Sequence, residues 1–324
     1  MILTATPYRV SLFGGGTDYP EWFTEHGGAV LGMAINRYCY VGTKPMPIGQ
    51  AMRYRVQYSK VEDCEAVSEI RHPAVRAALQ YLQIDAPLEF HCFGDLPGRA
   101  GLGSSSSFTV GLVHALRRLL NLGATDAWRL SDDAIAIEQD VIHEAVGCQD
   151  QILAAHGGLK YVTFSAAGRT VQTLDLRPSR LAELEASFVL AYTGTMRDAH
   201  AMAARQVEQI PAHPHTLTRM GDMAREGTEI LLNGHPLADI GAMLNDAWTL
   251  KRSLAAEVSN DEIDALYQRG RSLGAIGGKL LGAGGGGFIL FFVPPEGRAQ
   301  FCANIGVPVA TFKVSHVGSR VVID

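Results

Sequence analysis

Fourteen residues constrain this chain more than any others: Gly98-Arg99-Ala100-Gly101-Leu102-Gly103-Ser104-Ser105-Ser106-Ser107-Phe108-Thr109-Val110-Gly111. Composition alone reads such a run as a flexible linker. Its flanks read otherwise. Residues 88–97 (LEFHCFGDLP) alternate as a strand does and end in a turn at Asp95 and Pro97. Phe108, Val110, Leu112, Val113, Leu116, Leu119 and Leu120 then recur at helical spacing. The run therefore joins a strand to a helix N-terminus, with Ser104 to Ser107 expected as N-cap and first-turn hydroxyls. Glycines let backbone N–H groups turn inward, and the helix end adds unpaired donors and about half a positive charge. Such an assembly binds anions, phosphate above all.

Two familiar phosphate loops are excluded. The pattern G-x-x-x-x-G-K-[ST] needs a lysine where serine follows Gly103. The pattern G-x-G-x-x-G lacks its last glycine here. A serine loop without lysine calls for another neutralising charge. Mg²⁺ on hard oxygen ligands supplies it. Glu138, on a helix among Ile135, Ile137 and Ile142, is a candidate ligand together with a loop serine. Asp150 follows twelve residues later, across the break at Gly147. It is placed to orient a substrate hydroxyl and accept its proton. The triglycine Gly14-Gly15-Gly16, after an N-terminal strand, presents Thr17 and Asp18.

The 324 residues suggest two domains, with the seam near 177–186, hence 1–180 and 181–324. Charged residues make up 19% and the net charge is −5, so no global basic field favours nucleic acid or an anionic membrane. No run approaches the ~20 apolar residues of a membrane span. The first residues lack a basic segment followed by an apolar core, so no signal peptide is expected. Five cysteines without a CxxC pair fit a reducing, cytoplasmic setting and argue against structural zinc or a disulfide frame.

Strands are expected at 5–13, 38–43, 53–58, 159–164 and 170–176, with helices at 73–82, from Ser131 to about Val146, and at 149–156. Beyond the seam, 188–193 reads as strand, 196–273 as mostly helix, and 288–293, 307–314 and 320–323 as strand. The mixture lacks strict alternation, so the fold class is α+β. Gly282 to Gly287 formally satisfies G-x-G-x-x-G. However, RSLGAIGGKLL before it reads as helix and FILFFV after it as strand. A dinucleotide site requires the opposite order, which excludes that reading.

Three stretches in order, PYRVSLFGGGTDYP, LPGRAGLGSSSSFTVG and GGKLLGAGGGGFILFF, resemble the three motifs of the GHMP kinases, over residues 5–293. The resemblance implies an N-terminal α/β domain, a C-terminal ferredoxin-like domain, and a cleft for ATP and a small-molecule acceptor. It implies that Gly101, Leu102, Gly103, Ser104, Ser105 and Ser106 surround the nucleotide phosphates and that Ser105 and Glu138 hold Mg²⁺. Asp150 would be the catalytic base, with Arg9 beside it. Asp18, Gly15, Gly16 and Thr17 would meet the sugar, with Gly284 and Gly285 of the third motif beside it. Galactokinases carry Glu-His where this chain has Gly15-Gly16, which argues against galactose. GGGTD with GCQDQ and GGK-x₂-GAGGGG resembles the bacterial D-glycero-D-manno-heptose 7-phosphate kinases. They phosphorylate the anomeric hydroxyl for capsule or lipopolysaccharide heptose. A sugar phosphate also needs a distant cation, for which Arg197, Lys251, Arg252 and Lys279 are candidates. Other acceptors in this superfamily, such as fucose, and a catalytically inactive sugar sensor are the alternatives. The resemblance leaves a homodimer open.

Overall fold

The computed structural model describes residues 1–98, 100–195 and 199–324. Arg197 lies outside them. In chain order the first half runs β1 (Ile2–Phe13), α1 (Pro20–His26), β2 (Gly28–Pro45), β3 (Tyr54–Gln57), β4 (Val61–Cys64), α2 (Pro73–Tyr81) and β5 (Leu88–Gly94). It continues with α3 (Ser104–Leu119), α4 (Ala127–Ala136), a π-helical turn at Ile137–Val141, α5 (Gln149–His156), β6 (Leu159–Ser165) and β7 (Gly168–Thr173). The second half runs α6 (Pro178–Ser187), β8 (Phe188–Tyr192), α7 (Ala199–Gln209), α8 (Pro214–Leu232), α9 (Ala238–Leu254) and α10 (Asp261–Ser272). It closes with β9 (Gly277–Leu280), β10 (Phe288–Phe292), α11 (Arg298–Asn304), β11 (Val309–Ala310) and β12 (Arg320–Ile323).

Among the described residues these strands form an eight-stranded sheet and a four-stranded sheet. The first has the order β12-β1-β2-β5-β3-β4, with β6 and β7 branching from β2. The second has the order β11-β8-β10-β9, all antiparallel. The α+β reading therefore holds. Helix α3 is buried from Ser106 to Arg117, with apolar residues around most of its circumference, as befits a helix running through a core. Its one deeply buried charge, Arg117, donates from Nε to Asp133 Oδ2 at 2.5 Å. The main core is continuous from Val10 and Leu12 of β1 through Leu112 and Leu116 of α3 to Phe188 and Leu244 of the second half. A second core, with Trp248, Phe291 and Phe301, backs the smaller sheet.

Several elements differ from the sequence expectation. The helix placed at 131–146 starts at Ala127, capped by Asp126, and widens to the π-helical turn from Ile137. Asp133 faces inward to arginines instead of favouring the helix dipole. The residues read as helix before the third glycine cluster include strand β9, which pairs with β10 as a hairpin. Strand β10, not a helix, follows those glycines directly, so they do not open a helix as a dinucleotide site requires. Of 307–314, only Val309–Ala310 is strand. Residues 320–323 fall in the second half of the chain but pair with β1, at the edge of the first sheet.

Candidate active site

A cavity of about 920 Å³ opens between the two halves. Gly101, Gly103 and Ser104 to Ser106 line one side of it, together with Arg9, Asp150 and Lys279. Asp18, Gly15 and Gly16 line another part, with Ala203, Ile210, Leu217, Met220 and Leu254 from the second half.

The serine loop is held by backbone contact with the third glycine cluster. A Cβ on Gly101 would sit 2.5 Å from the Leu281 carbonyl oxygen, and one on Gly282 would sit 2.6 Å from Gly101 Cα. Only glycine permits that approach, and Gly101 also has a φ of +81°. Gly103, left-handed at φ +69°, caps α3, so the expected serine cap is a glycine. The four serines then form the first turn. Leu102 is buried and its carbonyl accepts from Arg9 N at 3.0 Å, so it anchors the loop.

Arg9 grips Asp150 with two parallel bonds, Nε to Oδ1 and Nη2 to Oδ2, each 2.6 Å. Its remaining nitrogen donates to the Gly101 carbonyl at 2.5 Å. Such a fork fixes the carboxylate in both position and plane. Gly103 lies directly over this pair: a Cβ there would be 2.9 Å from Arg9 Cγ and 3.2 Å from Asp150 Oδ2. The helix N-terminus, the arginine and the aspartate thus meet at one point.

Asp18 is buried. Its Oδ1 accepts from Gly16 N at 3.0 Å and Gln149 Nε2 at 3.1 Å, and its Oδ2 accepts from Gln149 N at 3.1 Å. Burial, with Asp150 nearby, pushes its carboxyl up to about 6, against the pull of the backbone donors. A Cβ on Gly147 would lie 2.0 Å from Asp18 Oδ2, so the chain can pass there only as glycine.

Glu138 lies one layer behind the cavity wall. Ser106 Oγ donates to its Oε2 at 2.8 Å, and Gln151 Nε2 donates to the same oxygen. Its Oε1 is buried without a partner. Burial pushes this carboxyl up to about 7. An orphaned carboxylate oxygen beside a cavity-lining hydroxyl is a hard donor set that fits Mg²⁺. The hydroxyl on Glu138 is that of Ser106, whereas Ser105 is exposed at the cavity edge. Each helical residue turns the side chain by about 100°, and the glycine cap sets that phase. Among the described residues no cluster of three or more acidic, histidine or cysteine side chains offers a metal cage.

Two lysines complete the electrostatics. Lys279 on β9 donates from Nζ to the Leu12 carbonyl at 2.9 Å, and Lys251 on α9 donates to Leu280 O at 3.0 Å and to Gly282 O. Burial, with Arg9 adding repulsion, pushes Lys279 down to about 7 and Lys251 well below the usual lysine range. Arg252 instead pairs with Asp264 on the surface.

Other expected contacts fall elsewhere. Thr17 is tied to the fold: its hydroxyl donates to Gly14 O at 2.8 Å and accepts from Ala29 N at 3.0 Å. Gly284 and Gly285 pack on Val258, with Gly285 N donating to its carbonyl at 3.0 Å, while Gly282 and Ala283 line the cavity.

Sequence reasoning passed over Gln149 and Gln151. They flank Asp150 in GCQDQ, so three successive residues at the start of α5 reach three separate partners: Gln149 to Asp18, Asp150 to Arg9, Gln151 to Glu138. The signal was available, since two glutamines flank Asp150 just before the apolar run Ile152 to Ala155.

The family model for the GHMP kinases N terminal domain matches residues 70–158, and that for the GHMP kinases C terminal matches 229–305. A D-glycero-alpha-D-manno-heptose 7-phosphate kinase from Campylobacter jejuni subsp. jejuni serotype O:2 is 28% identical over 91% of this chain and 90% of its own. The bifunctional fucokinase/GDP-fucose pyrophosphorylase of Arabidopsis thaliana is 27% identical over 91% of this chain but 30% of its own. The crystal structure of a D-glycero-D-manno-heptose 1-phosphate kinase from Bacteroides thetaiotaomicron superposes with a TM-score of 0.79. It is 22% identical and covers 99% of this chain and 98% of its own. No described helix is long and apolar enough to cross a membrane. With both family models matched in order and the serine loop, Arg9 and Asp150 brought together, the chain belongs to the GHMP kinases and is an ATP-dependent phosphotransferase.

Proposed function

We propose that this kinase phosphorylates the anomeric hydroxyl of a heptose 7-phosphate, giving the 1,7-bisphosphate used in capsule or lipopolysaccharide heptose synthesis. One observation carries the kinase chemistry: the Arg9–Asp150 fork lies directly beneath Gly103 at the N-terminus of α3. N–H groups at the start of α3 receive phosphate oxygens there. Asp150 stands beside them to accept the proton of the attacking hydroxyl. Both its oxygens bond Arg9, yet each carboxylate oxygen keeps a further lone pair for that proton. An anomeric hydroxyl is more acidic than an ordinary alcohol, which suits a carboxylate base. Arg9 and the helix end offset charge that develops on the phosphoryl oxygens, and positioning does much of the rest.

Glu138 and Ser106, with Ser105 at the cavity edge, would hold Mg²⁺, which neutralises phosphate charge when bound. The base end of the nucleotide fits the wall formed by Tyr58, His72, Phe93 and Phe108. Asp18, with Gly15 and Gly16, takes sugar hydroxyls. Arg197 remains the candidate for the distal phosphate, while Lys279 stands beside Arg9 on the side of the phosphate loop. The two relatives named for heptose phosphates support the acceptor class. The fucokinase relative keeps an unphosphorylated sugar as the second reading.

ADP release with Mg²⁺-ATP is measured against heptose 7-phosphate, free heptose, mannose, fucose, galactose and mevalonate. Selective turnover of the 7-phosphate, with product phosphorylated at the anomeric carbon, is the expected result. Turnover of an unphosphorylated sugar in preference would remove the distal-phosphate assignment.

A further inference from the structure

Two buried polar atoms on the cavity wall have no partner: the hydroxyl of Ser11 and the side-chain carbonyl oxygen of Gln149. Their orientation is set by neighbours. The Gln149 amide nitrogen donates to Asp18 Oδ1 at 3.1 Å, and a carboxylate can only accept, so the amide oxygen must point away from it. Gly15 lies between the two groups. A Cβ there would sit 3.4 Å from Ser11 Oγ and 3.4 Å from Gln149 Nε2. The missing side chain thus leaves room beside the Ser11 hydroxyl and the amide end of Gln149.

Burying a hydroxyl and an amide oxygen without partners costs stability, and folded proteins leave few such groups. Neither serves the packing described above. Ser11 makes no other bond that fixes the glycine turn, a task already taken by Thr17. We propose that Ser11 and Gln149 form a hydroxyl-reading pair that, beside Asp18, selects acceptors carrying hydroxyl groups next to the one phosphorylated. A neighbouring hydroxyl donates to Gln149 Oε1 and accepts from Ser11 Oγ, so an empty pair becomes a satisfied one. The pair reads polyols by hydrogen bonds, whereas Ala203, Ile210, Leu217 and Met220 supply only shape. This assignment rests on the sugar-kinase reading and adds the residues that enforce it.

The test uses Ser11→Ala and Gln149→Met in the full chain, with the best acceptor from the panel and its deoxy analogues. Wild type is expected to prefer the hydroxylated acceptor over the analogue lacking the adjacent hydroxyl. Each variant is expected to lose about tenfold to a hundredfold of that preference in kcat/KM, with the KM for ATP unchanged. Ser11→Ala removes a hydroxyl that bonds nothing, so its unliganded Tm is expected to stay level or rise; this separates recognition from a structural role. A variant that discriminates the analogues as wild type does overturns the pair. A wild-type enzyme that phosphorylates only an acceptor without adjacent hydroxyls overturns the sugar reading as well, and shows this before either variant is made.

Discussion

The two ends of the cavity are built from different materials. The end around Gly101 and Gly103 is held by backbone against backbone, where the serine loop meets the third glycine cluster. The end around Asp18 is built from side chains: carboxylate, amide and hydroxyl from the first half, apolar groups from α7, α8 and α9. Backbone is the same in every residue, so an end made of it suits a ligand common to a family. Side chains vary freely, so the other end can change acceptor without disturbing the first.

Asp150 joins the two ends, and its replacement gives the largest expected effect. Asp150→Asn should lower kcat by about 10²- to 10⁴-fold. Nucleotide affinity and the acceptor KM should stay within a few-fold of wild type. A large loss of either affinity would mean that Asp150 belongs to one end alone.

Gly101→Ala attacks the backbone-built end. The new Cβ meets the Leu281 carbonyl oxygen at 2.5 Å and an unfavourable φ of +81°. A loss of about 2–4 kcal/mol in folding stability is expected, seen as a lower Tm, with weaker nucleotide binding. The acceptor KM of the folded fraction should hardly move. A change confined to that KM would show that the ends are not separable as described.

The smallest effect concerns pH. Lys279 is depressed to about 7 by burial and by Arg9, with Lys251 also facing it. Its folded value lies below its unfolded one, so it contributes no titration penalty above about 10.5 and a growing one as pH falls to about 7. Lys279→Met removes that penalty at the cost of the bond to Leu12. Its unliganded Tm should gain on wild type as pH drops from 10 to 7, by several degrees, and then run parallel. A constant difference across that range would place the lysine in water.

Much of the backbone-built end was legible in the sequence because glycines mark close approach wherever they cluster. Helices 73–81 and 149–156 were equally clear, since proline and paired glycines punctuate them. The failures have local causes. Gly277–Leu280 reads as helix from its leucines, but it is buried on both faces, where strands lose their alternation. The first part of β2 was missed for the same reason. The bond from Ser106 to Glu138 was not legible, because the glycine cap at Gly103 sets which serine of the first turn faces inward. The side-chain end was legible only in Asp18 and the glycines before it, Gly15 and Gly16. Its other walls come from segments some two hundred residues apart, and no spacing in the chain announces that they meet.

The three successive residues that open α5 carry a further consequence. Each touches a different partner, so the wall works like a three-pin plug. A single deletion between Ile142 and Cys148 would shorten the non-helical segment that leads into α5 and displace all three pins together. Substitutions at Gln149, Asp150 and Gln151 should therefore not add. Change of acceptor in such a scaffold has an easier route through α7, α8 and α9, where one wall residue can be traded without unplugging the rest.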